Sequence, residues 1–304
     1  MRKIKMDQSL KSWGLLVFLA LIWGSSFILI KKALMVFSPG EVGAFRIVSA
    51  GLVLLPIAMP QLKYLNQKQV INLLIVGFVG SFIPAFLFAK AQTQLSSSLA
   101  GVINALTPLM VVLVGAFLFG SKITIRNAFG LLIAFLGVAI LVTGRTERGL
   151  HIFSDINYYG LFVVLATICY GFNVNIIKFR FVELKPTVIT AISLMMVLPL
   201  AALYLFGFTG FSFKLVHVEG AWEAAGLIAL LGVVGTALAL VIFNAMVKLV
   251  TPVFASSVTY LIPVVAIFWG VIDGESLLSV HYFGISAVIF GVWVGNRKSR
   301  PQNK

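Results

Sequence analysis

Apolar residues run along this chain in blocks, each closed by a short polar or charged stretch. Neither the strict alternation of a half-buried strand nor the narrow stripe of a soluble amphipathic helix organises them. A helix that crosses a bilayer needs roughly 17–25 mostly apolar residues. Blocks near 13–30, 42–60, 69–89, 96–119 and 127–144 meet that need, and so do blocks near 156–177, 186–207, 223–247, 252–272 and 278–296. The pattern predicts an all-α integral membrane protein with ten transmembrane helices, short loops, two basic tails and no soluble domain. The opening MRKIKMDQSLK could pass for the start of a signal peptide. The apolar run after it is long and lacks a small-x-small cleavage site, so it reads as a true span.

One block carries a proline where a membrane helix should be unbroken. Asn104-Ala105-Leu106-Thr107-Pro108-Leu109-Met110 lies inside 31 consecutive residues, 91–121, without a formal charge. Proline in a helix interior removes a hydrogen bond and costs about 3 kcal/mol. Its meaning comes from a repeat. A shift of 155 lays residues 77–115 on 232–270 without a gap, and nine positions are then identical. They include Gly77/Gly232, Gly80/Gly235, Leu95/Leu250, Ala100/Ala255, Pro108/Pro263 and Gly115/Gly270. At 154, Gly137 falls on Gly291; at 147, Gly24 falls on Gly171, Lys31 on Lys178 and Pro39 on Pro186. Apolar composition supplies leucine and valine matches by chance, but not these glycines and prolines.

Each half holds five spans, an odd number, so the second half enters the membrane upside down. The organisation expected is a tail at 1–12, a first five-helix repeat at 13–146, a second at 147–296 and a basic tail at 297–304. Two such inverted halves can rock between mirror-image states, and interrupted helices at matched positions point to a midplane site. Pro108 and Pro263 are therefore the expected helix breaks, leaving the carbonyls of Asn104 and Thr259 without their usual partners. Either those carbonyls face a wet cavity, or each is recaptured by a local side chain in a bend made for packing.

Composition agrees. The chain is 60% apolar and 11% charged, with a mean hydropathy of +1.07; an ordinary soluble domain is about 25% charged. A net charge of +14 raises the question of nucleic acid, but its distribution answers it. With both termini in the cytoplasm, 16 Lys/Arg fall in cytoplasmic segments, six in outside loops, and Arg46 in a span. That is the asymmetry of the positive-inside rule, not a nucleic-acid footprint. The one cysteine, Cys169, excludes an intramolecular disulfide and a cysteine metal cluster.

With these residues placed, the chain resembles the drug/metabolite transporter superfamily, in its EamA branch of ten-span carriers. The resemblance rests on ALIWGSSFILIKKAL (20–34), AFRIVSAG (44–51), SSSLAGVINALTPLMVVLVGAFLFGSKIT (96–124), ASSVTYLIPVVAIFWGVIDGESL (255–277) and FGISAVIFGVWV (283–294). It implies export or exchange of small metabolites, notably amino acids, through a cavity lined by spans 1, 3, 4, 6, 8 and 9. It also implies cytoplasmic termini in a bacterial inner membrane. One departure is visible: span nine ends in Gly274-Glu275, but span four ends in Gly120-Ser121.

The candidate chemistry is polar rather than catalytic. Glu41, Glu223, Asp273 and Glu275 lie at span ends, and His151, His217 and His281 lie in or beside outside loops. Proton-coupled pumps usually show such groups mid-membrane, so simple exchange is favoured. Arg46 is the cation inside a span; Lys31, Lys32 and Lys90 read as snorkelling to the interface. Cations without mid-membrane carboxylates favour a substrate bearing a carboxylate or phosphate. Trp23, Ser26, Arg46, Asn104, Tyr170, Asn173, Asn244, Thr259 and Tyr260 are the expected lining of the substrate cavity, Ser26 and Asn173 being matched positions. Expected partners are a small-molecule metabolite and membrane lipid, with no nucleic acid, cofactor or metal. Gly291-Val-Trp-Val-Gly295 has GxxxG spacing, the pattern of a homodimer face. An intramembrane enzyme would need a nucleophile beside a base, which no span offers. The alternative function is a channel or sensor without catalytic activity.

Overall fold

The computed structural model describes residues 2–121, 123–143, 158–181, 183–249 and 258–296. The matches Leu95/Leu250 and Ala100/Ala255, His151 and the tail 297–304 therefore lie outside the described residues. Within them the chain is helical, with no strand. Seven helices are long and apolar enough to cross a membrane: Trp13–Ala33, Pro39–Tyr64, Gln67–Ala91, Ser97–Phe119, Tyr159–Arg180, Pro186–Gly207 and Ala221–Met246. Ile125–Leu141, Val258–Ile272 and Ser279–Gly295 are shorter apolar helices. Together they fill the ten predicted places and are called spans one to ten in chain order.

Local sequence sets the span starts. Ser38 caps span two in a capping box with Glu41, ahead of Pro39 at the first helical position. Asn66 and Gln69 do the same for span three, and the Ser96 hydroxyl accepts from the Leu99 N–H ahead of span four. Pro186 opens span seven as its counterpart Pro39 opens span two.

Packing repeats with the sequence. A Cβ on Gly24 of span one would run into Val265 of span nine, and one on Gly171 of span six would sit 2.8 Å from the Met110 carbonyl of span four. Met110 and Val265 are matched positions at the 155 shift. Likewise Gly77 is pressed against the Ser193 carbonyl of span seven, and Gly232 against the Arg46 carbonyl of span two; Ser193 and Arg46 match at 147. Gly80 faces Asn173, and Gly235 faces Ser26, another matched pair. Each half thus buries its glycine faces against the other half. The result is two inverted five-helix repeats related by a pseudo-two-fold axis.

Spans five and ten pack on each other at the side. Gly137 meets Gly284 and Val288, and Gly291 meets Gly130 and Ala134. The GxxxG pair Gly291/Gly295 is therefore consumed by span five of the same chain, which corrects the dimer-face reading. Gly291→Leu is expected to cost about 2–3 kcal/mol by overpacking, lowering the melting temperature while the particle mass by light scattering stays unchanged. A changed mass at unchanged stability would return the face to a dimer.

The two prolines behave differently. Span four is two helices, Ser97–Asn104 and Thr107–Phe119, joined by Ala105 and Leu106, with Pro108 at the start of the second. The Asn104 carbonyl is not left unpaired: the Thr107 hydroxyl donates to it at 2.8 Å. Span nine, by contrast, runs as one helix from Val258 to Ile272 with Pro263 inside it, so Pro263 does not break it there. The physical reason lies at the position matched to Thr107. Ile262 stands there and has no hydroxyl to satisfy a carbonyl released by a break. Removing the Thr107 hydroxyl with Thr107→Val is expected to cost about 1–2 kcal/mol, read as a lower melting temperature.

Both halves share a feature that the prolines do not announce. Phe78–Phe82 in span three and Val233–Leu238 in span eight are π-helical turns at matched positions. Such turns widen the ladder and release backbone groups, and they concentrate at functional sites.

Candidate functional site

Between the halves lies a cavity of about 330 Å³. Spans one, two, three, four, six, eight and nine line it, with Asn127 at the start of span five added at one end. Trp23, Ser26, Arg46, Asn104, Pro108, Tyr170, Asn173 and Thr259 are all on its wall. Asn244 and Tyr260 are not. Asn244 is turned to span seven, where its Nδ2 donates to the Thr190 hydroxyl at 2.9 Å. The Tyr260 hydroxyl donates to the Val292 carbonyl of span ten at 3.2 Å. Pro263 is buried in span nine and is likewise absent from the wall.

The π-helical turns bring backbone to the cavity. Gly80-Ser81 from span three and Gly235-Thr236 from span eight both line it. The Gly235 carbonyl accepts the Trp23 indole N–H at 3.0 Å. The neighbouring Thr236 hydroxyl donates to the Leu231 carbonyl at 3.3 Å and accepts the Arg46 Nε–H at 2.8 Å. One turn thereby fixes both the aromatic and the cation of the opposite half. On the other side Asn173 is 8% exposed, sits against Gly80, and its Oδ1 has no hydrogen-bond partner. Asn175 ties span six to span four through the Val111 carbonyl at 2.9 Å. Thr236, Ser81 and Thr107 escaped the sequence reading. The signal for two of them was present: Val79-Gly80-Ser81 and Val234-Gly235-Thr236 match at the 155 shift, each with a hydroxyl after the glycine.

The two ends of the cavity differ in chemistry on the same backbone scaffold. Spans four and nine both finish on a left-handed glycine, Gly120 at φ 66° and Gly274 at φ 78°. In each the next residue donates back to a matched glycine carbonyl, Ser121 to Gly115 at 3.0 Å and Glu275 to Gly270 at 2.9 Å. At one end this cap delivers Glu275. Its carboxylate accepts from the Ser97 and Ser98 N–H groups at 2.8 and 3.1 Å, from the Ser98 hydroxyl at 2.7 Å, and from Lys31 at 2.9 Å. A carboxylate on the first N–H groups of span four is favoured by the helix dipole as well as by the bonds. Lys31 also reaches Asp273 at 2.7 Å, and Lys32 pairs with Asp273. Lys31 and Lys32 are thus ion-paired, which corrects the snorkelling reading for both. Ser97 and Ser98 are fully buried, so this clamp seals its end.

At the other end the same cap delivers Ser121. Lys178, matched to Lys31, lines the cavity beside it and is exposed, with its ammonium over the Phe179 ring at 5.0 Å. The cavity reaches the surface here. Lys90 lies outside both ends, over the Tyr159 ring at 5.7 Å.

Electrostatics set the clamp's response to pH. Burial raises the Glu275 pKa, but the Ser98 hydroxyl, Lys31 and the two serine N–H groups outweigh it and hold the carboxyl below its ordinary value. Lys31 and Lys32 hold Asp273 down in the same way. For a carboxylate with a depressed pKa, the stabilisation is fully present above the ordinary value and is lost as pH falls through the depressed one. The clamp is therefore expected to stay shut at neutral pH and to loosen only below about pH 4. Thiol labelling of Phe27→Cys, in a Cys169→Ser background, measures this; labelling that already rises near pH 6 would contradict it.

Comparison with known proteins bears on the family and the fold. The EamA-like transporter family matches residues 11–143 and 158–297. An inner membrane transporter of Escherichia coli (strain K12), YedA, of uncharacterized activity, is 24% identical over 300 residues, covering 95% of this chain and 92% of its own. A probable amino-acid metabolite efflux pump of Salmonella typhimurium is 26% identical over 149 residues, 47% of this chain and 46% of that one. A solved crystal structure superposes with a TM-score of 0.62 at 18% identity over 92% of this chain and 94% of its own, a likeness of fold. The chain, a membrane protein, belongs to the EamA-like transporter family.

Proposed function

We propose that this protein is a secondary transporter, an exporter or exchanger of small organic metabolites, amino acids among them, working by alternating access around the cavity between its two inverted repeats. The observation that carries the reading is the pairing of one cavity with two unlike ends. One end is sealed by the Glu275 clamp across the halves, and the other reaches the surface beside Lys178 and Ser121. Rocking of one half against the other would exchange those roles. The names of the YedA and efflux-pump relatives support the transporter class.

The excess of Lys/Arg on one side supports cytoplasmic termini in a bacterial inner membrane. In that orientation the clamp faces outward and Lys178 faces the cytoplasm, the side from which an exporter loads. The protein is not an enzyme in this reading: among the described residues the cavity wall offers hydroxyls, amides and two cations, but no nucleophile held by a base.

The test is to load proteoliposomes with a cell metabolite extract and identify by mass spectrometry what leaves, against protein-free liposomes. Selective, saturable loss of a few solutes supports the carrier. Uniform leakage of everything small would make the protein a pore.

A further inference from the structure

Arg46 is a cation that the fold does not need. It lies about two turns inside span two, and a charge within a span is costly and marks function. Its backbone carbonyl packs against Gly232 as the Ser193 carbonyl packs against Gly77, at matched positions of the two halves. The second half makes this contact with a serine, so the contact is satisfied without a guanidinium. The charge on Arg46 is an addition to one half of a symmetric scaffold.

The addition also lacks a counter-ion among the described residues. Among the described residues the ion pairs join Lys31, Lys32 and Lys214 to Asp273, Glu275 and Glu41; none involves Arg46. Among the described residues no carboxylate is on the cavity wall. Arg46 gives its Nε–H to Thr236, which sets the plane of the guanidinium. The four N–H bonds on its two terminal nitrogens remain for whatever enters, in the fork that suits a carboxylate or phosphate. The second cation, Lys178, stands where the cavity meets the surface, placed to draw anions inward.

We infer that the solute is a small organic acid of net negative charge, its carboxylate or phosphate held by Arg46 on the Thr236 hydroxyl, with Lys178 as the entry cation. This rests on the transporter reading. It narrows that reading: the described wall has no carboxylate to receive an ammonium, so a net anion fits better than a zwitterion or a cation.

The test uses the purified full-length protein, wild type and Arg46→Ser, the residue the other half carries at the matched place. Retained monodispersity and a melting temperature near wild type show that the variant folds. In the extract-loaded liposomes, the solutes lost through wild type should be net anions, and Arg46→Ser should slow their loss by about 30-fold or more. Arg46→Lys should restore part of it. Loss dominated by neutral or cationic solutes, or anion loss unchanged in Arg46→Ser, would overturn the inference and leave the carrier standing. Direct binding separates the two claims if nothing leaves. Glutarate and glycerol phosphate, but not the uncharged diamide of glutarate, should raise the melting temperature of wild type and not of Arg46→Ser. Stabilisation by glutarate alone would identify a carboxylate site, and by glycerol phosphate alone a phosphate site. No stabilisation by either anion would overturn the inference, whereas stabilisation without any flux would count against the transporter reading instead.

Discussion

Glu275→Gln is expected to unlatch the sealed end of the cavity. The substitution keeps the size of the side chain but removes the charge on which Lys31, the Ser98 hydroxyl and the N–H groups of Ser97 and Ser98 converge. A neutral amide can still accept one of these bonds, so the loss is partial. Charge-assisted bonds of this kind contribute about 1.5–3 kcal/mol each, and breaking a buried pair leaves Lys31 to Asp273 alone. A shift of about 2–3 kcal/mol between sealed and open forms follows, or roughly thirty-fold and more in population. Phe27, buried on the cavity side of the clamp, reports it. In a Cys169→Ser background, Phe27→Cys should react that much faster with a membrane-impermeant maleimide applied to the clamp side. Equal rates with and without Glu275→Gln would mean that the clamp does not hold this end shut.

The second large effect runs in the opposite direction. Ser121 stands on the same glycine cap as Glu275 and beside the lysine matched to Lys31, so Ser121→Glu supplies the missing acid of a second clamp. An exposed Lys178 pair would contribute little. If the two halves rock, closure buries the pair, and it then contributes about 1–2 kcal/mol, favouring closure of this end by roughly ten-fold. Labelling of Val112→Cys from the Lys178 side should fall by that factor, and Ser121→Gln should leave it unchanged. A drop caused equally by both would be steric. No drop with either would mean that this end does not close as the clamp end does.

The difference between the ends explains why a symmetric scaffold can have a preferred state. The backbone of each half makes the same contacts, down to the carbonyls that face Gly77 and Gly232. Only one half carries the acid of the clamp, and only one carries a cation at the Arg46 position. The first asymmetry biases which end is sealed, and the second gives the cavity its charge.

The ten spans and the repeat were legible because they depend on properties a sequence displays directly. Bilayer thickness sets the length of the apolar blocks, and close helix contacts demand glycine at fixed places in both halves. The same matching singled out Ser26, Tyr170 and Asn173, and the charge inside a span singled out Arg46; all four are on the cavity wall. What stayed hidden depends on which way a helix is turned or on a partner far along the chain. Asn244 and Tyr260 sit on cavity-forming spans but face Thr190 and Val292, and nothing in apolar surroundings fixes that rotation in the sequence. Lys31 and Lys32 looked like interface anchors because Asp273 and Glu275 lie more than 240 residues away. Pro108 and Pro263 looked alike, yet the break at Pro108 depends on Thr107, which has no hydroxyl-bearing counterpart. The π-helical turns were invisible to hydropathy, since an extra residue per turn changes geometry and not composition.

Solute is expected to cross because the clamp end opens and closes. Lys32→Cys with Asp273→Cys, in a Cys169→Ser background, places one thiol on span one and another just beyond span nine, where the native side chains are ion-paired. Flux of the extract-derived solutes through this variant should continue before crosslinking, because Lys31 and Glu275 remain. Bridging the two thiols with a short, cleavable bifunctional reagent should stop that flux, and cleaving the bridge should restore it. Flux that persists at full rate through the bridged protein would contradict alternating access at this end.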